Sequence, residues 1–324
     1  MRVAVWGLGK HAIKNILPAL VHGRTVELIG VYSRNKNVVQ DCVQLYDCLT
    51  WDSPEEMLSA DSVDVVYLCT PIGLHVEQGK QVLEANKHCW CEKPIATDYQ
   101  NAQSLVDIAR QRTLTLCEGF MYLYHPQFIW LKQYIYQAEF GDIKSIRCQF
   151  GLPLLEAPGF RYQADLGGSA LWDVGCYPLS AVLELFPDSE PVLQHIRMSQ
   201  LDTYDVDMEG SAILNIDNKI DIFLEWGMGR AYRNEIDIWG SQSSVYTEKI
   251  FSKPADYEPS FVLTNKNGQK TMSTCEPNNH FNTMFDYFGE MVENDTIKNL
   301  EYERIIRRSS YLGELYKAGK KLLN

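Results

Sequence analysis

The chain reads as an α/β protein in two parts: a doubly wound parallel sheet over residues 1–119, then an α+β domain with a large, mostly antiparallel open sheet over 120–324. Three observations predict this. Short apolar strands alternate with helical stretches of about 10 to 15 residues in the first part. A glycine pair, Gly7 and Gly9, follows the first strand at once. Past residue 120 the rhythm changes to alternating segments separated by turn signals, and 324 residues exceed what one hydrophobic core usually holds.

The elements follow in order. RVAVWG (2–7) is the first strand, and a helical pattern runs from Lys10 through Ile13, Ile16, Leu17 and Leu20, with Pro18 expected to kink it. Residues 26–33 and 63–71 read as strands, 74–86 as a helix, 88–94 as a strand, 99–112 as a helix and 113–120 as a strand. In the second part, 125–141 reads as a helix closed by Gly141, and 143–151 begins a strand. The loop 152–168 then leads into a helix over 169–186. Segments 206–216, 219–228, 234–241, 243–251, 259–268 and 270–276 read as antiparallel strands, with turns at Asp217-Asn218 and Asn267-Gly268. Helices over 280–294 and 301–323 close the chain; the last is expected to pack back on the first domain.

Composition narrows the function. A formal net charge of −12 argues against a nucleic-acid or anionic-membrane surface, which needs clustered Lys and Arg. No apolar run approaches the ~18 residues of a membrane span. The first strand starts too early to leave room for a leader peptide. The nine cysteines are odd in number and irregularly spaced; Cys89 and Cys91 share one strand face as core thiols. No zinc-type spacing occurs, so a metal-free, reduced, cytoplasmic protein is expected.

The GLGKHA loop (Gly7, Leu8, Gly9, Lys10, His11, then Ala12) lies between strand and helix, where backbone amides and the helix dipole favour a pyrophosphate. Ala12 stands where a third glycine is common; a small residue suffices for close helix–strand packing. Ligands of such sheets sit at the carboxyl ends of the strands, and Thr70, Pro71, Glu92, Lys93 and Pro94 fall there too. The second strand ends in Tyr32-Ser33-Arg34, and its one nearby acid, Glu27, is at the wrong end. A hydroxyl and a cation suit a 2′-phosphate, so NADP(H) is favoured over NAD(H), with Ser33 and Arg34 as readers.

Hydride transfer to a carbonyl creates an alkoxide that must gain a proton. Lys93 and Tyr177 are suitable donors, since a nearby ammonium lowers the pKa of a phenol. Asp173 and Tyr177 share a helix face, four residues apart, behind two glycines that permit close approach to a ligand. The Asp lies in an otherwise apolar helix, where an unpaired carboxylate is costly. No nucleophile elbow and no HExxH occur, so hydrolase chemistry lacks candidates.

Over essentially its whole length the chain resembles the Gfo/Idh/MocA oxidoreductase family, in GLGKHA, VVYLCTPIGLHVE, CEKPIA, EGFMYLYHPQF, GGSALWDVGCY and NEIDIWGSQSSV. The resemblance implies a Rossmann domain, a nicotinamide cofactor that His75 also helps to bind, and a sugar-like substrate. It further implies homodimers or homotetramers built on the open sheet. Lys93 and Tyr177 become catalytic, Asp173 a substrate or ribose contact, and His125 and Arg161 pocket residues. Tyrosine at 177, where many members have histidine, is similar to the subset containing nucleotide-sugar 3-ketoreductases and dihydrodiol and xylose dehydrogenases. Two departures touch substrate orientation: Leu123 stands where many relatives have arginine, and Ser169 replaces a third glycine. The expectation is an oxidoreductase acting on a hydroxyl or keto carbon of a nucleotide-linked sugar. Two alternatives stay open, a free aldose or trans-dihydrodiol dehydrogenase and a non-catalytic cofactor-sensing regulator.

Overall fold

Strand β1 (Arg2–Trp6) lies inside a six-stranded parallel sheet with β2 (Glu27–Tyr32), β3 (Leu49–Thr50), β4 (Val65–Leu68), β5 (His88–Cys91) and β6 (Leu116–Glu118). The order is β3-β2-β1-β4-β5-β6, so the strand order reverses between β1 and β4, where doubly wound sheets leave their ligand crevice. All four residues of β4 are buried, as expected of a strand covered on both faces. This computed structural model describes residues 1–156 and 159–321; the end of the predicted 301–323 helix and two residues of the 152–168 loop lie outside them. The chain forms two compact units, Met1–Phe120 with Phe281–Ser310, and Met121–His280 with Tyr311–Asn324.

The helices of the first unit are α1 (Leu17–Val21), α2 (Lys36–Tyr46), α3 (Pro54–Ser59), α4 (His75–Glu84) and α5 (Tyr99–Gln111). Instead of a simple kink at Pro18, a π-helical turn over Ala12–Ile16 precedes it, and the Leu17 N–H bonds the Ala12 carbonyl five residues back. Widening the turn there accommodates a proline that brings no N–H. Helices α2 and α3 and the two-residue β3 go unread in the sequence, although α2 repeats Val39, Cys42, Val43 and Tyr46 at helical spacing, with Val39 and Cys42 buried.

The second unit begins with α6 (Pro126–Tyr134), β7 (Ile143–Leu152) and α7 (Cys176–Leu185). Strands β8 (Val192–Gln200), β9 (Asp207–Ile216), β10 (Ile220–Met228), β11 (Arg233–Gly240), β12 (Ser243–Glu248), β13 (Ser260–Asn265) and β14 (Lys270–Thr274) follow. Eight strands align as β14-β13-β12-β11-β7-β10-β9-β8, antiparallel except for β7 beside β10. Helix α8 (His280–Glu293) and helix α9 (Asp295–Lys320) end the chain, and α9 supplies residues to both units. The predicted 125–141 helix is cut to α6 because the chain turns to draw Phe140 into the core against Tyr134, 5.6 Å between ring centres. Strand β8 escaped the sequence reading because most of its residues are exposed or half-exposed. No helix among the described residues is long and apolar enough to cross a membrane.

A second π-helical turn, over Leu171–Gly175, runs into α7 just ahead of Pro178. It rests on the sheet through Trp226 of β10, which is fully buried. A Cβ added at Gly175 would lie 2.9 Å from this indole, and one at Gly210 in β9 would run into the same ring. The same Gly210 Cβ would meet the Arg197 carbonyl oxygen at 2.8 Å, so neither neighbour is a movable side-chain tip. Gly210→Ala is therefore expected to lower unfolding free energy by about 1–3 kcal/mol, as overpacking does. Urea denaturation checks this, and an unchanged midpoint would contradict the wedge.

Candidate functional site

In the first unit the backbone after β1 comes against the backbone after β4. Gly7 has φ +106°, and an added Cβ would lie 2.7 Å from the Cys69 carbonyl oxygen. Only glycine fits there. Gly9, by contrast, faces open space, with nothing within 4 Å of an added Cβ. A turn packed on one side and bare on the other is the cradle a dinucleotide pyrophosphate requires. Ser33 and the exposed Arg34 follow directly on β2, and the Ser33 hydroxyl accepts the Asn35 N–H at 3.3 Å. Thr70 follows β4 and donates its hydroxyl to Gln78 Oε1 at 2.5 Å.

The Glu92-Lys93-Pro94 loop continues β5 and is held from several directions. Glu92 Oε1 accepts the Tyr67 hydroxyl at 2.6 Å and faces His11 Nε2 at 3.0 Å. Burial alone would raise the Glu92 carboxyl. The charge and hydrogen bond of His11, with the Tyr67 hydroxyl, outweigh it and hold the carboxyl at about 2. Lys93 is 9% exposed. His75 departs from the expected direct cofactor contact: its ring is buried, with Nδ1 2.9 Å from the Pro94 carbonyl and Nε2 2.8 Å from that of Thr70. Its polar atoms join two loops rather than facing outward, and burial pushes its pKa down.

The second unit gathers Arg161, Asp173 and Tyr177. Arg161 Nε donates to Asp173 Oδ2 at 2.7 Å, which answers the cost of placing that carboxylate in an apolar helix. The Asp173 charge is the largest cause of the raised Arg161 pKa, and the hydrogen bond to Asp173 and the charge of a nearby Tyr177 add to it. Tyr177 is 6% exposed, ringed by Tyr122, Phe150 and Phe251 at 5.2–5.9 Å between centres. Ahead of the helix, a Cβ at Gly168 would lie 2.6 Å from the Arg161 carbonyl oxygen, so the chain's own packing requires glycine there. His125 also departs from expectation. Its ring is buried and its Nδ1 accepts the Gln127 N–H at 3.0 Å, capping α6. Burial, with the buried Lys253 amine, pushes it down to about 3, so it stays neutral.

The sequence reading missed two groups. Asp207, at the start of β9, accepts the Leu171 N–H at 2.8 Å and so anchors the π turn that carries Asp173. Glu118, at the end of β6, accepts the Ile95 N–H at 2.8 Å beside the Lys93 loop. Asp207 is one of two acids in β9 and Glu118 opens the EGFMYLYHPQF stretch, but neither position shows in the sequence which distant N–H it accepts. Among the described residues no cluster of three or more His, Cys, Asp or Glu could hold a metal ion.

The Glu92 environment has a measurable consequence. Its folded pKa of about 2 lies below the ordinary 4.5, so its stabilisation is complete above 4.5 and is lost as pH falls toward 2. Removing the ionisable group by Glu92→Gln should flatten this acid limb by on the order of 3 kcal/mol. Equilibrium unfolding followed from pH 5 to pH 2 measures it; parallel curves for the two proteins would refute the assignment.

Comparison with known proteins fits this arrangement. Residues 1–120 match the family described as oxidoreductase family, NAD-binding Rossmann fold, and residues 128–246 match its C-terminal domain. The chain is 34% identical over 263 residues to dTDP-3,4-didehydro-2,6-dideoxy-alpha-D-glucose 3-reductase of Actinomadura kijaniata, covering 80% of this chain and 78% of that protein. It is 27% identical over 296 residues to trans-1,2-dihydrobenzene-1,2-diol dehydrogenase of Xenopus laevis, covering 90% and 86%. A crystal structure of KijD10, a 3-ketoreductase from Actinomadura kijaniata in complex with NADP and TDP-benzene, is similar with a TM-score of 0.93. That match has 28% identity and covers 98% of this chain and 97% of the other. On these matches the chain belongs to the GFO/IDH/MocA oxidoreductase family.

Proposed function

We propose that the protein is an NADP(H)-dependent ketoreductase acting on a nucleotide-linked deoxysugar. One observation carries this reading. A chain that matches a 3-ketoreductase bound to NADP and TDP-benzene over 98% of its length holds Asp173 on the Arg161 guanidinium at 2.7 Å, four residues ahead of the buried Tyr177.

When bound, NADPH supplies the hydride. The chain's own groups do the rest. The loop from Gly7 to His11, with Thr70, Pro71, Glu92 and Lys93, holds the dinucleotide, and Ser33 and Arg34 take the 2′-phosphate. Tyr177 donates its hydroxyl proton to the substrate oxygen as the carbonyl carbon is reduced, leaving an alcohol; in the reverse direction the phenolate takes that proton back. Lys93 is assigned as the electrostatic partner in this transfer. Asp173 orients a sugar hydroxyl. Arg161, held at Nε by Asp173, has more N–H donors than one carboxylate oxygen uses and can bind a phosphate oxygen. His125 supports this pocket from within, as the cap of α6. A homodimer or homotetramer in the cytoplasm, joined through the outer face of the eight-stranded sheet where Trp239 is 66% exposed, completes the proposal.

A second reading, a free aldose or dihydrodiol dehydrogenase, is favoured by the identity with the amphibian diol dehydrogenase. The two readings differ in charge. For a diphosphate-bearing substrate, the KM should rise with ionic strength and rise further in Arg161→Met, whereas a neutral diol or sugar should show neither effect. Turnover of dTDP-3,4-didehydro-2,6-dideoxy-alpha-D-glucose against free aldoses, followed by NADPH absorbance, decides between them. Tight NADPH binding without turnover of any sugar would point to a cofactor-sensing regulator.

The assigned roles are tested directly. Lys93→Met and Tyr177→Phe should each lower kcat by about 10²–10⁴-fold while NADPH still binds. Near-normal turnover in either variant would remove that residue from the mechanism.

A further inference from the structure

The loop bearing Lys93 is held by its backbone on the far side of the lysine. Pro94 O is 2.9 Å from His75 Nδ1, and the next backbone group, the Ile95 N–H, donates to Glu118 Oε1 at 2.8 Å. Glu118 is in turn bonded through Oε2 by Arg308 Nε at 2.7 Å, and Arg308 NH2 reaches Glu301 Oε1 at 2.7 Å. Glu118, Arg308 and Glu301 are all buried, the arginine 4% exposed. Glu301 also lies 3.8 Å from Arg304. The Arg308 guanidinium stacks over Phe120, 5.0 Å from the ring centre.

A buried carboxylate is costly to maintain unless it is paired and fully bonded, and breaking such a pair costs several kcal/mol by removing one partner. A pure packing role would be met as well by apolar side chains of the same volume. What apolar groups cannot do is accept the Ile95 N–H, two residues from Lys93, from a fixed direction. Burial pushes the Glu118 carboxyl up, and Arg308 and the Ile95 N–H are the groups that favour its ionised form.

We propose that Glu118, fixed by Arg308 of α9, is a positioning residue for Lys93: it locks the backbone just past the lysine so that the amine is presented in one geometry. This rests on the catalytic assignment of Lys93. Neither Glu118 nor Arg308 touches the reacting atoms; they act through the loop.

The test is a double-mutant cycle. Turnover of dTDP-3,4-didehydro-2,6-dideoxy-alpha-D-glucose with NADPH is measured in Glu118→Gln, Lys93→Met and the double variant. NADPH affinity is read by tryptophan fluorescence. Glu118→Gln should lower kcat about tenfold or more with KM and NADPH affinity within about twofold, because misplacement of a catalytic group falls on the chemical step. In the Lys93→Met background the same change should cause no further loss. An unchanged kcat, or an equal loss in both backgrounds, would overturn the positioning role. Normal turnover in Lys93→Met would instead remove the catalytic assignment itself, and this proposal with it. Arg308→Lys, which keeps the charge but not the fork, should show a smaller loss with the same non-additivity, and it carries the cycle if Glu118→Gln fails to fold. Hydrogen exchange at the Ile95 amide of the wild-type protein needs no variant. Protection at the level of global unfolding is expected, and fast exchange would refute the lock.

Discussion

Close backbone approach where glycine leaves no side chain is the constraint on which both halves of this molecule depend. At Gly7 the chain presses against the Cys69 carbonyl, and the turn that opens toward a ligand at Gly9 exists because of that contact. At Gly175 and Gly210 the indole of Trp226 fills the space two side chains would have occupied. The helix with Asp173 and Tyr177 thus lies down on its sheet at a distance set by one aromatic ring. In each case rigid scaffold meets rigid scaffold, and the polar groups to which we assign the chemistry are attached within a few residues of the contact. Such attachment holds functional side chains more closely than a loop can.

Two π-helical turns reinforce that arrangement. One follows the glycine loop and one carries Asp173, and each comes shortly before a proline. A proline in an ordinary α-helix removes a bond and collides with the carbonyl four residues back. A widened turn accommodates the ring without ending the helix and shifts the facing of the residues after it. Asp173 sits within such a turn, bonded to Arg161, and Tyr177 lies just beyond it.

Much of this was legible in the sequence, for a physical reason. Phosphate cradling, strand-end lysines and paired side chains on one helix turn are local, so Gly7, Gly9, Lys93, Asp173 and Tyr177 stand in short stretches that could be read. An acid in an apolar helix demanded a partner, and Arg161 is that partner. What could not be read acts across long separations. Asp207 reaches back 36 residues to Leu171, and Arg308 reaches back 190 to Glu118. The family resemblance implies a cofactor contact for His75 and a pocket position for His125. The structure gives both ring nitrogens of His75 and Nδ1 of His125 to neighbouring backbone, which spacing alone does not disclose. Strand β8 is silent in the sequence because few of its residues are buried.

The first compact unit is discontinuous along the chain, taking Met1–Phe120 and then Phe281–Ser310. Its late segment closes the hydrophobic layer, with Phe285 and Phe288 against Trp90 at 4.7 and 4.5 Å and the Tyr302 hydroxyl on the Leu114 carbonyl. During synthesis, then, the dinucleotide-type sheet emerges from the ribosome with an uncompensated carboxylate at Glu118 and a bare indole at Trp90. It must wait for the entire eight-stranded sheet to be translated before either is satisfied. The earliest part of the chain to be made is therefore completed only by residues made near its end.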